Sequence, residues 1–352
     1  MAYINFDPQD YFNTVTYTGT GSSQSISVGF RPDLNWIKDR SIPNSHGLFD
    51  SVRNAGGTPY ELRSNATDAQ SDFTGYYGSI DSTGFTVING GDVNNSGNTY
   101  VSWNWLANGS GASNTDGSIT TTVSANTTSG FSIVSYTGTG SNASIGHGLG
   151  TIPHFLIFKK TNEAGFDWFC YHRSLGAGKF ILLDTTGAEQ SSTSIWQNTT
   201  PTSSLITLGG DGGVNGSGGT YICYAFAEKK GFSKFGSYTG NGSTDGTFVY
   251  TGFKPAMIIF KIYSGGTGSW VMYDNKRNTF NVVNSALFPD LSNAEETADN
   301  GFECEVDMLS NGFKLRGTGN AYWMNQSGWN YIYMAFAEQP LVGTNNIPAT
   351  AR

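Results

Sequence analysis

The chain has 352 residues, 47 of them glycine, a formal net charge of −8 and only 13% charged side chains. That balance argues against a nucleic-acid partner, because phosphate binding needs a basic stripe and the Lys and Arg here stand singly. No apolar run approaches the ~20 residues of a membrane-spanning helix, so membrane insertion is not expected.

Residues 1–13 form an amphipathic arm that carries Tyr11 and Phe12. The opening Met1-Ala2-Tyr3-Ile4-Asn5-Phe6-Asp7-Pro8 has neither a basic start nor an apolar core. Synthesis in a cytoplasm without a secretory leader is therefore expected. Then comes Tyr17-Thr18-Gly19-Thr20-Gly21, which returns as Tyr136-Thr137-Gly138-Thr139-Gly140 and as Tyr238-Thr239-Gly240-Asn241-Gly242. After each copy stand a Pro and, six positions on, a Lys at the end of an apolar run: Pro32 and Lys38, Pro153 and Lys159, Pro255 and Lys261. Each unit closes on a turn followed by an aromatic strand, beginning at Tyr100, Tyr221 and Tyr331. A repeat of this length, roughly 95 residues, defines one small domain copied three times.

The units fall at 14–107, 118–228 and 229–338. Residues 108–117, Asn-Gly-Ser-Gly-Ala-Ser-Asn-Thr-Asp-Gly, are turn formers and read as a linker or hinge. The join at Lys229-Lys230-Gly231 is shorter, so units two and three should pack more tightly than units one and two. Residues 339–352 form an extended tail with Leu341, Val342 and Ile347 as isolated apolar points. Short aromatic and β-branched runs between Gly, Asn, Ser and Thr turns give an all-β class, with antiparallel β-sandwich modules and extended terminal arms.

Alternation along the closing strands separates two faces. One carries Val101, Trp103 and Trp105; Ile222, Tyr224 and Phe226; Ile332, Met334 and Phe336. The other carries Ser102 and Asn104, Cys223 and Ala225, Tyr333 and Ala335. The bulky face is expected to fill each sandwich, with Trp105, Phe226 and Phe336 fully buried. The small face is expected to admit a loop or a neighbouring unit.

No catalytic constellation is present. The four His lack ligand-like pairing, and Asp50, His172 and Asp274 share one place in the repeat, where a reacting group would not alternate between Asp and His. Asp211-Gly212-Gly213-Val214-Asn215 and Gly91-Asp92-Val93-Asn94 read as tight turns rather than calcium loops, since a second carboxylate at ligand spacing is missing. Neither an enzyme, a metal nor a cofactor is expected. The three Cys are read as reduced thiols. Loop aromatics are the better candidates. Trp196, Trp323 and Trp329 lie in Asn/Ser-rich segments where a flat ring can stack on a sugar. Tyr11, Phe12, Leu341, Val342 and Ile347 are candidates for arms that dock on another chain.

Asp10-Tyr11-Phe12-Asn13-Thr14-Val15, Gly130-Phe131-Ser132-Ile133-Val134-Ser135-Tyr136 and the closing Ile347-Pro348-Ala349-Thr350-Ala351-Arg352 carry a resemblance. In these segments the chain resembles the repetitive, tail-fibre-like structural proteins of tailed, mostly marine, bacteriophages. The resemblance implies lectin-like sandwich modules of jelly-roll type in a virion made in the host cytoplasm. It implies other virion proteins as partners, a homo-oligomer, and contact with a host surface glycan. The alternative it leaves open is a capsid decoration or tail-wall component that binds only virion subunits.

Overall fold

A computed structural model describes residues 4–297, 304–316, 323–343 and 347–351. The described chain is almost entirely antiparallel β-structure, in keeping with an all-β, sandwich-type fold. Each repeat contributes a large sheet with the same core order: opening strand, closing strand, second strand, third strand. In the first repeat these are Phe12–Thr18, Thr99–Trp105, Leu34–Asp39 and Gly47–Asp50. In the second they are Phe131–Thr137, Thr220–Phe226, Phe155–Lys160 and Phe169–His172. In the third they are Ser233–Thr239, Asn330–Pro340, Phe253–Ser264 and Val271–Asp274. Register coincides too. Trp105 pairs with Leu34, Phe226 with Phe155 and Phe336 with Met257, and those three partners pair with Asp50, His172 and Asp274. A smaller sheet covers one face of each large sheet.

The Tyr-Thr-Gly motif is a clasp between the opening and closing strands. Tyr17, Tyr136 and Tyr238 donate their hydroxyls to the carbonyls of Val93, Val214 and Met324. The fully buried Asn94, Asn215 and Asn325 accept from the backbone N–H of Thr20, Thr139 and Asn241 at 3.0, 2.9 and 3.0 Å. They donate in return to the carbonyls of Ser22, Ser141 and Ser243. A Cβ on Gly19 would lie 2.2 Å from the Asn95 carbonyl oxygen, and the same collision recurs at Gly138 and Gly240. Backbone approach therefore imposes glycine at this point of the motif.

The three large sheets are not strung along the chain. They close into a ring, with their bulky faces turned inward on one shared core. Val101, Trp103, Trp105, Ile222, Tyr224, Phe226, Ile332, Met334 and Phe336 all belong to that core. Trp105, Phe226 and Phe336 are buried as expected and meet one another, with ring centroids 6.1, 5.5 and 5.8 Å apart. The alternation is thus as read, but the sides are exchanged. Cys223, Ala225 and Ala227, and Tyr333, Ala335 and Ala337, face the smaller sheets of their own repeats. There the smaller sheet and its loops supply the volume (Trp196, Ile206 and Leu208; Phe313 and Leu315), and apart from Tyr333 the large sheet presents small residues. At the centre three sheets converge and their long side chains reach across to one another, in one cluster with Trp168, Phe232 and Trp270.

Equivalent backbone hydrogen bonds close the ring at all three seams: Gln70 N–H to Thr161, Glu189 to Tyr263 and Glu295 to Arg40, at 2.8, 3.1 and 3.0 Å. The repeated lysines serve the seams as well. Lys159 Nζ reaches the Ala66 carbonyl and Lys261 Nζ the Thr185 carbonyl, at 3.5 and 2.9 Å. Trp168 and Trp270 donate their indole N–H to the carbonyls of Arg63 and Leu182, both at 2.9 Å.

Residues 108–117 are not a hinge. Ala112–Asn114 is a strand paired with Thr121–Asn126, which extends the second large sheet beyond its opening strand. Upstream, Asn108 N–H is held by Ser124 and Gly109 N–H by Asp33. Turn-forming composition marked the bends here but concealed a short strand whose pairing partner lies just beyond them.

Candidate functional site

At one place on each sheet a polar residue reaches the closing strand of the next. Asp50 accepts from the Tyr224 hydroxyl at 2.8 Å and Asp274 from the Trp103 indole N–H at 3.1 Å. The His172 Nε2 lies 3.3 Å from the Tyr333 carbonyl oxygen. Each aspartate also pairs with an arginine three residues on, Arg53 and Arg277, at 2.5 and 2.6 Å. These three positions tie the ring together, which explains why Asp and His interchange there: either supplies a hydrogen-bonding group. Burial pushes the His172 imidazole down to about 3, so it stays neutral in the folded chain. An unfolded His takes up a proton near pH 6.5. The folded pKa is lower, so between about 6.5 and 3 the unfolded chain binds the proton that the folded chain refuses, and stability falls as pH drops through that window. His172→Gln keeps a donor without the titration. Between pH 7 and 5 the wild type should lose roughly 2 kcal/mol more than this variant. Parallel stability profiles would remove His172 from the acid response.

Trp196 does not present a face to a ligand. It is 2% exposed, its indole N–H donates to the Lys179 carbonyl at 3.1 Å, and its ring packs on Phe158. It sits on the single helical turn Thr193–Trp196, capped by Ser192, which aims it inward. The Asn/Ser-rich flanks thus marked a cap and turn rather than an exposed loop. Trp323 and Trp329 are half-buried. Trp323 lies against Phe288, with centroids 6.1 Å apart. Trp329 follows the exposed Ser327 and Gly328 and covers Gly265 and Gly266, where a Cβ would come within 2.7 and 2.2 Å of its ring. The other repeats carry Asn98 and Gly219 at this turn, so the third alone puts an indole there.

The terminal segments dock on their own chain. Tyr11 and Phe6 pack on Phe232, with centroids at 6.4 and 5.5 Å. Phe12 is 1% exposed and stacks on Phe336 at 4.9 Å, as part of the opening strand and the shared core. It is not available as an arm to another chain. Gln339 and Pro340 continue the closing strand against Lys254 and Phe253. Beyond them, Ala349 N–H bonds the Leu341 carbonyl and Val342 bridges Pro348. Leu341 and Val342 are half-buried in this fold-back, while Ile347 is 64% exposed. Phe6–Gln9 line a cleft together with Gln339, Pro340, Gly343 and Ile347–Ala349. Residues 1–3, 344–346 and 352 of the arm and tail lie outside the described residues.

Sequence reading missed two surface features. Phe248 and Tyr250 are 44% and 49% exposed on one face of the strand Phe248–Tyr250, and Phe280 is 76% exposed. The first pair was legible in the alternation around Val249. A cleft in the first repeat is rimmed by Arg31, Ser51, Asn54, Ser79 and Ser110. Among the described residues no group of three or more His, Cys, Asp or Glu is placed to hold a metal ion, and no helix is long and apolar enough to cross a membrane.

The fold defines an all-β protein whose three large sheets form one closed body. The family model described as a domain of unknown function (DUF7483) matches residues 7–340, and the chain belongs to that family. The match takes in all three repeats and ends at Pro340, the last residue of the third closing strand. No curated protein and no solved structure matches the chain.

Proposed function

We propose that the protein is a phage virion structural protein exposed on the particle surface, a tail fibre or fibre-like adhesin that contacts host surface glycans. The observation that carries this reading is Trp329: an indole held on a glycine pair at an exposed turn, where the sister repeats have Asn98 and Gly219. An aromatic plane seated on a rigid sheet end and flanked by Ser327, Asn330 and Gln326 offers a sugar one stacking face and several polar groups. The closed ring suits a load-bearing surface subunit, since its parts cannot move apart without opening the common core. The resemblance to tail-fibre-like proteins points the same way and makes a homo-oligomer and other virion proteins its partners.

A glycan array with the purified protein and its Trp329→Ala variant is the test. The reading expects saturable binding to a limited set of glycans and loss of about tenfold or more in affinity on removing the indole. Binding that survives the substitution moves the contact elsewhere. Absence of any glycan signal favours the second reading, a capsid decoration or tail-wall component that binds only virion subunits. The cleft between the two terminal segments and the exposed Ile347 speak for that reading.

A further inference from the structure

One side of the sandwich is built differently in each repeat. In the second repeat, the open side between the opening strand and the smaller sheet is closed by residues 117–126. Ile119 bridges Ile145 of the smaller sheet, and Ser118 and Ser144 exchange hydrogen bonds at 3.1 and 2.8 Å. Thr121–Asn126 then pairs with the opening strand, Val123 lying opposite Val134. Under this cover Val134 and Tyr136 are 0% and 4% exposed.

The third repeat closes the same side from within. Tyr333 stands where the other closing strands have Ser102 and Cys223, and its hydroxyl lies 2.7 Å from where a Gly236 Cβ would be. The large ring takes the room left by the missing side chain.

The first repeat has neither device. Ser102 is small, Val15 and Tyr17 remain half-buried, and the opening strand pairs only with the closing strand among the described residues. Gln24–Ser27 likewise pairs only with Gly84–Val87. Between these two edges runs a groove of about 480 Å³, lined by Asn13–Tyr17, Gln24–Ser27 and the exposed Lys276.

We propose that this groove accepts an extended strand from a separate polypeptide, added to the edge of residues 13–17 as residues 121–126 are added in the second repeat. Unpaired strand edges are templates for such pairing. The chain itself supplies the description of the occupant. In residues 119–123, Ile119, Thr121 and Val123 face inward, and Thr120 and Thr122 face water. The partner strand is therefore uncharged and rich in Thr, Ser and Val, with a β-branched residue over Val15. Lys276 at the rim favours a carboxylate in the residues flanking that uncharged strand. This inference is independent of the glycan reading, because Trp329 belongs to another repeat.

A synthetic peptide copying residues 116–126, Asp-Gly-Ser-Ile-Thr-Thr-Thr-Val-Ser-Ala-Asn, is the probe. Titrated into the full-length protein to about 1 mM, it should bind saturably. Bound peptide should slow hydrogen exchange at amides within residues 13–17 by about tenfold or more. The same peptide N-methylated at alternate amides keeps its side chains and loses its ladder donors, and it should not bind. The proposal is overturned by absence of saturation, by protection that misses residues 13–17, or by equal binding of the N-methylated peptide. It is also overturned if those amides become protected as protein concentration rises without peptide, which would make a second copy of this chain the occupant.

Discussion

Trp105→Ala should destabilise the whole protein by about 3–5 kcal/mol, with all three repeats unfolding in one transition. Trp105 contacts Phe12 of its own sheet, Phe131 and Phe226 of the second and Phe336 of the third, with centroids between 5.0 and 6.4 Å. Removing the indole therefore opens a void against three sheets at once, and no single loop can collapse to fill it. Denaturant titration followed by hydrogen exchange in each repeat measures both statements. A variant in which the first repeat opens at lower denaturant than the others would show that the common core does not couple them. Phe226→Ala and Phe336→Ala should behave alike, and pairs of these substitutions should be non-additive because the rings share one volume.

The second large effect concerns a buried charge. Arg277→Met should cost about 3–5 kcal/mol, the penalty of leaving a buried partner unpaired. Asp274 and Arg277 side chains are both 0% exposed and pair at 2.6 Å. Arg277 also bonds Glu295 at 3.1 Å, and Glu295 receives both Nε and Nη2 of Arg40 at 2.8 Å. One seam of the ring thus hangs on an Asp–Arg–Glu–Arg chain. Burial alone would raise the Glu295 carboxyl, but the hydrogen bond from Arg40 and the charges of Arg277 and Arg40 outweigh it and hold it below its ordinary value. With its folded pKa depressed, its stabilisation is present above the ordinary Glu value of about 4.3 and is lost as pH falls through the folded one. The gap between wild type and Arg277→Met should be widest near neutrality and narrow as Glu295 protonates. A gap that stays constant as pH falls from 7 to well below the ordinary Glu value of about 4.3 would assign the loss to packing alone.

Strand positions were legible because the repeat shows them three times. The segments after Pro32, Pro153 and Pro255 and the closing aromatic runs are strands in equal register. Alternation also placed Trp105, Phe226 and Phe336 on one face. It did not say which way that face points, because a period of two has no sign: a bulky face toward a private core and one toward a shared core are written in the same letters. Ring closure was equally hidden. Its contacts, such as Arg40 with Glu295, join residues 255 apart and leave no local pattern. Among the candidate residues, Trp196 and Phe12 were misplaced for different reasons. Asn/Ser-rich flanks suggested an exposed loop at Trp196, and Phe12 was read as part of an arm outside the repeat, whereas a helical cap and a strand pairing turn both side chains inward.

The shared core has a consequence for the order in which the protein comes into being. A ribosome releases the repeats one after another, and the first two emerge before the sheet that completes the enclosure. Until residues 253–340 are out, the wall of Trp103, Trp105, Tyr224 and Phe226 has water or a stranger's surface where the third sheet belongs. Local strand pairing can begin early, but burial of the largest side chains waits for the third repeat to be translated. For that interval the nascent chain carries a sticky apolar face, the condition under which partly made proteins aggregate or recruit chaperones. Premature termination in the third repeat would then yield no smaller working version of the molecule, only an open shell.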